Sequence, residues 1–276
     1  MDDIVPVLLK KIEADFTEGI AKDSTIQSVL ERAGKGTATH VDTQEYALRV
    51  GEVSSSALRR SLTADILPDG TLYYNIADRT VRPTIEQSHA LINETAGKIQ
   101  KDLNERAGIG LNPVFPKLDQ DRLGRLINKL ASGESFEDIA WLLDEPIVNL
   151  IQSFADEFVR DNAKFQANAG LNPKIRRTVV GKCCDYCAAL AGIYEYPDNT
   201  PEDVFRRHRF CRCLVTYDPA DGFGKVQNVH KQSQWLDADT VEELDKRKTI
   251  GLDLSRLTPQ KAAILQRLLD DKISKA

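Results

Sequence analysis

Through the first two-thirds of the chain, apolar residues return every three or four positions, the spacing that lines one face of an α-helix. Val5, Leu8, Leu9, Ile12 and Phe16 form the first such stripe. A second helix is predicted from near Thr43 to Leu62, behind the breaker Gly34-Lys35-Gly36. Pro68-Asp69-Gly70 reads as a turn and Thr71–Tyr74 as a short extended piece. Ile85, His89, Ile92, Ala96, Ile99 and Leu103 then alternate by four and three, a long helix that stops at Gly108-Ile109-Gly110. Its stripe is too short for a free coiled coil, so it belongs in a bundle. Leu123, Leu126, Ile127 and Leu130 open another amphipathic helix, closed by Ser132-Gly133. Ile147, Leu150, Ile151, Phe154 and Phe158 mark one more, with Pro146 suited to its first turn and an end near Asn168-Ala169-Gly170.

The pattern shortens between Lys174 and Tyr217. Arg177–Val180, Ile193–Tyr196 and Leu214–Tyr217 are short β-like pieces. Beyond Asp221-Gly222 come a loop with Trp235, a helix around Val241–Lys248 and a last helix capped by Thr258-Pro259. The expected fold is therefore mainly α with a small β module, of class α+β. A helical body spans 1–171, the module 172–220, and a C-terminal loop with helices 221–276.

Composition narrows the function classes only a little. Hydrophobic residues make up 41% and charged residues 29%, the balance of an ordinary globular protein. A net charge of −5 argues against a dedicated nucleic-acid binder, which carries a basic excess. No apolar run is long enough for a membrane span. The opening MDDIVPVLLKKIEADF lacks the order of a signal peptide, so a reducing cytoplasm is the expected compartment.

That compartment bears on the five cysteines, all of which lie in two clusters, KCCDYC (182–187) and HRFCRC (208–213). An odd number cannot pair fully, and cytosolic disulfides are uncommon. Cys184-x-x-Cys187, then twenty residues, then His208-x-x-Cys211-x-Cys213, fits a tetrahedral zinc site. Two thiolates three positions apart grip an ion from one tight turn, and a second pair returned by the intervening loop completes the tetrahedron. The preferred ligands are Cys184, Cys187, His208 and Cys211. If Cys211-Arg212-Cys213 is extended, both thiols face one side, so Cys213 can replace His208 or Cys211. Cys183 is the weakest candidate. Unmetallated reduced thiols and a redox dithiol are the alternatives, the latter lacking the βαβ context of a thioredoxin-type site. The deaminase His-x-Glu signature is missing and no acid–base pair stands out, so no catalytic residue is assigned. An ion with four protein ligands would be structural, holding together a module with little core of its own.

These motifs carry a resemblance. Residues 182–219 resemble the C-terminal module of phage minor head proteins, the phage Mu F-like and SPP1-type head morphogenesis family, in the variant of Gram-positive phages and prophages. The shared features are Cys184/Cys187, Leu190-Ala191-Gly192-Ile193-Tyr194, and Arg207-His208 through Cys213 into Leu214–Tyr217. Upstream, Gly133-Glu134-Ser135 and Asn162–Asn168 also resemble the family, although Arg160-Asp161-Asn162 stands where it has Arg-Thr-Glu. The resemblance implies a capsid component inside the virion head near the portal, serving head morphogenesis or genome ejection and assembled in the bacterial cytoplasm. Its partners would be the portal protein and the major capsid protein, with packaged DNA a further contact. It implies no enzyme, small-molecule substrate or membrane. Rival readings are a zinc-binding nucleic-acid-binding protein and a nuclease or toxin-type enzyme.

Some features point elsewhere. Leu123–Leu143 imitates a helix-turn-helix, but the following helix carries Glu145, Asp156, Glu157 and Asp161, which would repel phosphate. Arg206, Arg207, Arg209 and Arg212 form the dense basic patch of the chain, a candidate contact for DNA or for an acidic portal face. Pairing with Glu202 and Asp203 is the competing reading. His89 on its apolar stripe reads as a packed histidine, while His40 and His230 stand in polar surroundings with no assigned role.

Overall fold

The structure, a computed structural model, describes residues 3–181 and 183–218. The expected Trp235 loop, the helices near 241–248 and 258, and His230 lie outside the described residues. Within them, the helical stripes become eight α-helices. Val5–Lys22 (α1) buries Val5, Leu8, Ile12 and Phe16. It ends at Asp23, whose carboxylate accepts from the Ile26 N–H and caps Ser24–Gly34 (α2). This break turns on one extended residue, Asp23, and the buried row restarts beyond it at Ile26, Val29 and Ala33. Thr39 and Asp42 form a capping box that starts His40–Ser61 (α3), three residues before the expected Thr43.

Tyr74–Arg106 (α4) is the longest helix, and it continues through Pro83. The residues expected to be extended, Thr71–Tyr74, are therefore its approach, with only Tyr74 helical. Gln120–Leu130 (α5) is capped by Asp119 and buries Leu123, Ile127 and Leu130. Phe136–Ile139 (α6) is one turn that runs into a 3-10 turn at Ala140–Leu143. With Leu142 and Leu143 buried, the second arm of the helix-turn-helix imitation has no free helix to place in a groove. Glu145–Asn168 (α7) has Pro146 in its first turn, as expected. No described helix is long and apolar enough to cross a membrane.

α3 and α7 form the heart of the bundle. Gly51 lets them meet closely, since a Cβ there would sit 3.1 Å from both Cα and O of Val148. α1 and α4 pack on α3, and the main core runs from Val5 through Phe154. His89 sits edge-on to Phe154 with ring centroids 5.0 Å apart, and burial lowers its pKa.

The β module is a three-stranded antiparallel sheet in the order β2-β1-β3. β1 is Lys174–Thr178, β2 Gly192–Glu195 and β3 Leu214–Asp218. β1 lies three residues before its expected start, because Ile175, opposite Tyr194 and Tyr217, is the residue that faces the core. Val180, by contrast, is exposed. The sheet does not carry an apolar core of its own: Ile175, Val204, Val215 and Tyr217 close against Val159 and Ala163 of α7. The Tyr217 ring also meets His40, 4.7 Å between centroids. His40 is thus buried, and the polar setting suggested by its sequence neighbours is corrected: the fold carries it under β3. Burial holds its pKa down at about 4, against an opposing contribution from Gln100.

Candidate metal centre

Two chain segments build the site. In the first, Cys184 is the N-cap of Asp185–Ala189 (α8), its carbonyl accepting from the Ala188 N–H. Cys187 lies one turn along, so the short helix holds both sulfurs on one side. Cys187 is 1% exposed, whereas Cys184 faces solvent. The second segment starts from a 3-10 turn, Glu202–Phe205, anchored by buried Val204. The backbone then reverses through Phe210 at φ 61°, with the Cys211 N–H bonded to the His208 carbonyl. Arg212 faces outward between Cys211 and Cys213, which are both buried on the same side before β3 begins.

The two segments converge. His208 Nε2 lies 3.2 Å from Cys184 Sγ and 2.9 Å from Cys187 Sγ, and Cys187 Sγ lies 3.7 Å from Cys211 Sγ. In a tetrahedral site with Zn–S of about 2.3 Å and Zn–N of about 2.0 Å, sulfurs stand roughly 3.8 Å apart and sulfur and nitrogen roughly 3.6 Å. The sulfur pair has that separation and the imidazole sits slightly closer. Two donor groups result, Cys184/Cys187/His208 and Cys187/Cys211/Cys213, each with its atoms within 4.8 Å of one another. Cys187 belongs to both. Cys183 is exposed and belongs to neither.

The imidazole is oriented for ligation. His208 Nδ1 lies 2.7 Å from the Arg209 carbonyl, an acceptor, so Nδ1 carries the proton and Nε2 presents its lone pair to the sulfurs. A carbonyl or carboxylate behind the ring is the usual support of a metal-bound histidine. Tyr186 meets the ring edge-on at 6.0 Å.

Beneath the sulfurs lies a residue that sequence reasoning passed over. Arg177, 2% exposed, points inward from β1 and directs Nη2 at Cys187 Sγ (3.6 Å) and Cys211 Sγ (3.7 Å). Its Nη1 donates to the carbonyls of Val204 and Arg206. Burial pushes the Cys187 thiol up to about 12 and raises Cys213 as well. Burial also opposes ionisation of Cys211, but there the Cys213 backbone N–H, Arg207 and Arg177 outweigh it and lower the pKa. Cys211 therefore ionises more easily than Cys187 and Cys213, whose deprotonation a bound metal ion would favour.

The four arginines do not form a common basic surface. Arg207 is corrected most sharply: its side chain is 3% exposed and is locked to Asp156, itself 1% exposed. Arg207 Nη2 lies 2.8 Å from Asp156 Oδ1 and 2.7 Å from Gln44 Oε1, and Nη1 donates to the Cys213 carbonyl at 3.0 Å. Gln44 Nε2 in turn donates to Asp156 Oδ1 and to the Val215 carbonyl, both at 2.9 Å. Arg212 is paired with Glu145 at the start of α7. Arg206 is exposed and 3.6 Å from Asp203, so one of the expected local pairings is present. Arg209 is exposed and lies over two exposed rings, 5.3 Å from Trp141 and 4.9 Å from Phe210.

Asp156 lies on a second buried row of α7, Gln152, Asp156, Val159 and Ala163, beside the apolar stripe that the sequence shows. Nearby, a polar cleft of about 510 Å³ opens between α3 and α7, with Arg59 3.2 Å from Asp144 and Arg212 paired with Glu145 along it. No protein-family model, curated protein or solved structure matches the chain.

Proposed function

We propose that the chain is a minor head protein of a tailed phage or prophage, with no catalytic role, whose Cys/His centre holds one structural zinc ion. The observation that carries this reading is the convergence of the two segments. The residues that resemble the head morphogenesis module, Cys184/Cys187 and His208 through Cys213, meet around Cys187. They bring three or four soft or borderline donors of the kind zinc takes, in a site where all positions can be filled by protein. Zinc would supply the cross-link between α8 and the turn before β3. The chain's own part is to present Cys187 and Cys211 from below and the supported His208 ring from above. A mostly helical body carrying such a knot suits a scaffold placed near the portal, contacting portal and major capsid proteins.

Two measurements test the two halves. Elemental analysis of the purified protein should give about one zinc per chain, and Cys184→Ser and Cys187→Ser should lower the melting temperature sharply, because metal binding is part of the folding free energy. Variants that melt like the parent would overturn the metal reading. For the role, the protein should co-fractionate with purified heads or proheads in few copies; absence from both would sink the virion reading.

A further inference from the structure

β1 alternates in the ordinary way: Ile175 and Arg177 face inward, Arg176 and Thr178 outward. Arg176 reaches Asp218 across the sheet, as an outward arginine should. Arg177 instead puts a full guanidinium where the alternation calls for an apolar residue. No carboxylate of the described residues is paired with it, and its Nε has no hydrogen-bond partner. The neighbouring buried cation, Arg207, is already balanced by Asp156. The groups near Arg177 able to carry negative charge are three sulfurs, of which Cys187 and Cys211 are within N–H···S reach and Cys213 is not. A buried cation left without an opposite charge is strongly unfavourable, so this position is built against anionic sulfur.

We propose that Arg177 is the counter-charge of the metal centre, a positioning residue that favours a ligand set of three thiolates and one neutral imidazole. The inference rests on the metal reading above. A divalent ion with three thiolates carries one negative charge, which Arg177 cancels; with four thiolates the buried unit stays negative. The N–H···S bonds to Cys187 and Cys211 also place Cys211 in the set ahead of Cys213, with His208 supplying the nitrogen. Orienting groups of this kind typically change metal affinity by about 10–100-fold.

The test uses the full chain with zinc, and with Co²⁺ as a spectroscopic substitute. The wild type should bind one ion, and the sulfur-to-cobalt charge-transfer band should have the intensity of three thiolates, unchanged by Cys213→Ser. Arg177→Met should weaken zinc at least about 10-fold in competition with a chromophoric chelator. It should also move the charge-transfer band, which a purely structural role would leave in place. Arg177→Lys, which keeps the charge, should recover part of both. A wild type that binds no metal overturns the metal reading and this inference together. A four-thiolate band, or Arg177→Met with wild-type affinity and spectrum, overturns this inference alone. If Arg177→Met does not fold, the wild-type thiolate count and the Arg177→Lys spectrum decide it.

Discussion

Replacing Asp156 by Asn tests whether the metal corner is fastened to the bundle by a buried charge pair. The substitution keeps the shape of the side chain and removes its charge, leaving Arg207, 3% exposed, facing an amide. Three elements meet there: Asp156 on α7, Gln44 on α3, and Arg207 with the Cys213 carbonyl before β3. Breaking one side of such a pair costs about 3–5 kcal/mol, because the remaining charge keeps its desolvation cost and loses its partner. For a protein of this size that is a fall in melting temperature of roughly 6–20 °C. Asp156→Leu combined with Arg207→Met removes both charges. Gln44 then keeps only the Val215 carbonyl, so a residual cost of about 1–3 kcal/mol remains for its unpaired amide oxygen and the vacated Cys213 carbonyl. The double variant should thus be more stable than Asp156→Asn or Arg207→Met alone. Urea denaturation followed by circular dichroism, in zinc-containing buffer, measures all of these. A double variant whose loss equals the sum of those of Asp156→Leu and Arg207→Met measured singly would refute the pairing argument, as would an Asp156→Asn loss below about 1 kcal/mol.

Removing the ion with a strong chelator should lower the melting temperature to that of Cys187→Ser, while Cys183→Ser should change neither melting nor metal content; a stabilising effect of Cys183 on either would reassign the ligands. Acid should act through His40, whose folded pKa of about 4 lies below the ordinary 6.5. The unfolded chain takes up that proton first, so stability is full above about pH 7, falls between 6.5 and 4, and is down by about 2 kcal/mol at pH 5. His40→Leu should remove this component of the difference between urea midpoints at pH 7 and pH 5, and an unchanged difference would contradict the burial argument. Gly51→Ala should destabilise by about 1–3 kcal/mol through its 3.1 Å approach to the Val148 backbone. Gly124→Ala on α5, with open space around it, should stabilise by up to about 1 kcal/mol. Calorimetry on the pair would show opposite signs.

The helices were legible because their burial repeats locally: Val5 through Phe16 or Leu123 through Leu130 can be read without knowing what they touch. Boundaries decided by single residues were not. Asp23 alone ends α1 and caps α2, and α4 reaches back through Pro83 to Tyr74. The donors at Cys184, Cys187, His208, Cys211 and Cys213 were legible for another reason. Metal ligation leaves its mark in short-range spacing, and the extended alternation of Cys211 and Cys213 follows from the strand period.

What could not be read was the sign of burial for the arginines around those donors. An arginine is placed outside by default, and only a partner brings it in. The partner of Arg207, Asp156, is 51 residues away, and the sulfurs beside Arg177 are 10 and 34 residues away. The first appears only once the sheet is laid on α7, the second once α8 and the turn before β3 close over β1. The shifted β1 has the same origin: Val179 and Val180 look more strand-like than Ile175 and Arg177, until Ile175 is seen to face the core and Arg177 the sulfurs of Cys187 and Cys211. This redistribution bears on function. With Arg207 buried and Arg212 held by Glu145, the surface left for a portal or DNA contact at this corner is narrower than the run of arginines suggests. Among the described residues of that run it consists of Arg206 and of Arg209 with its flanking Trp141 and Phe210 rings. Two exposed cations give a shallow salt dependence for any phosphate contact, whereas four would give a steep one. Under the proposed virion role, the Arg209 stack, made of residue types enriched at protein interfaces, would favour a protein contact over DNA at this corner.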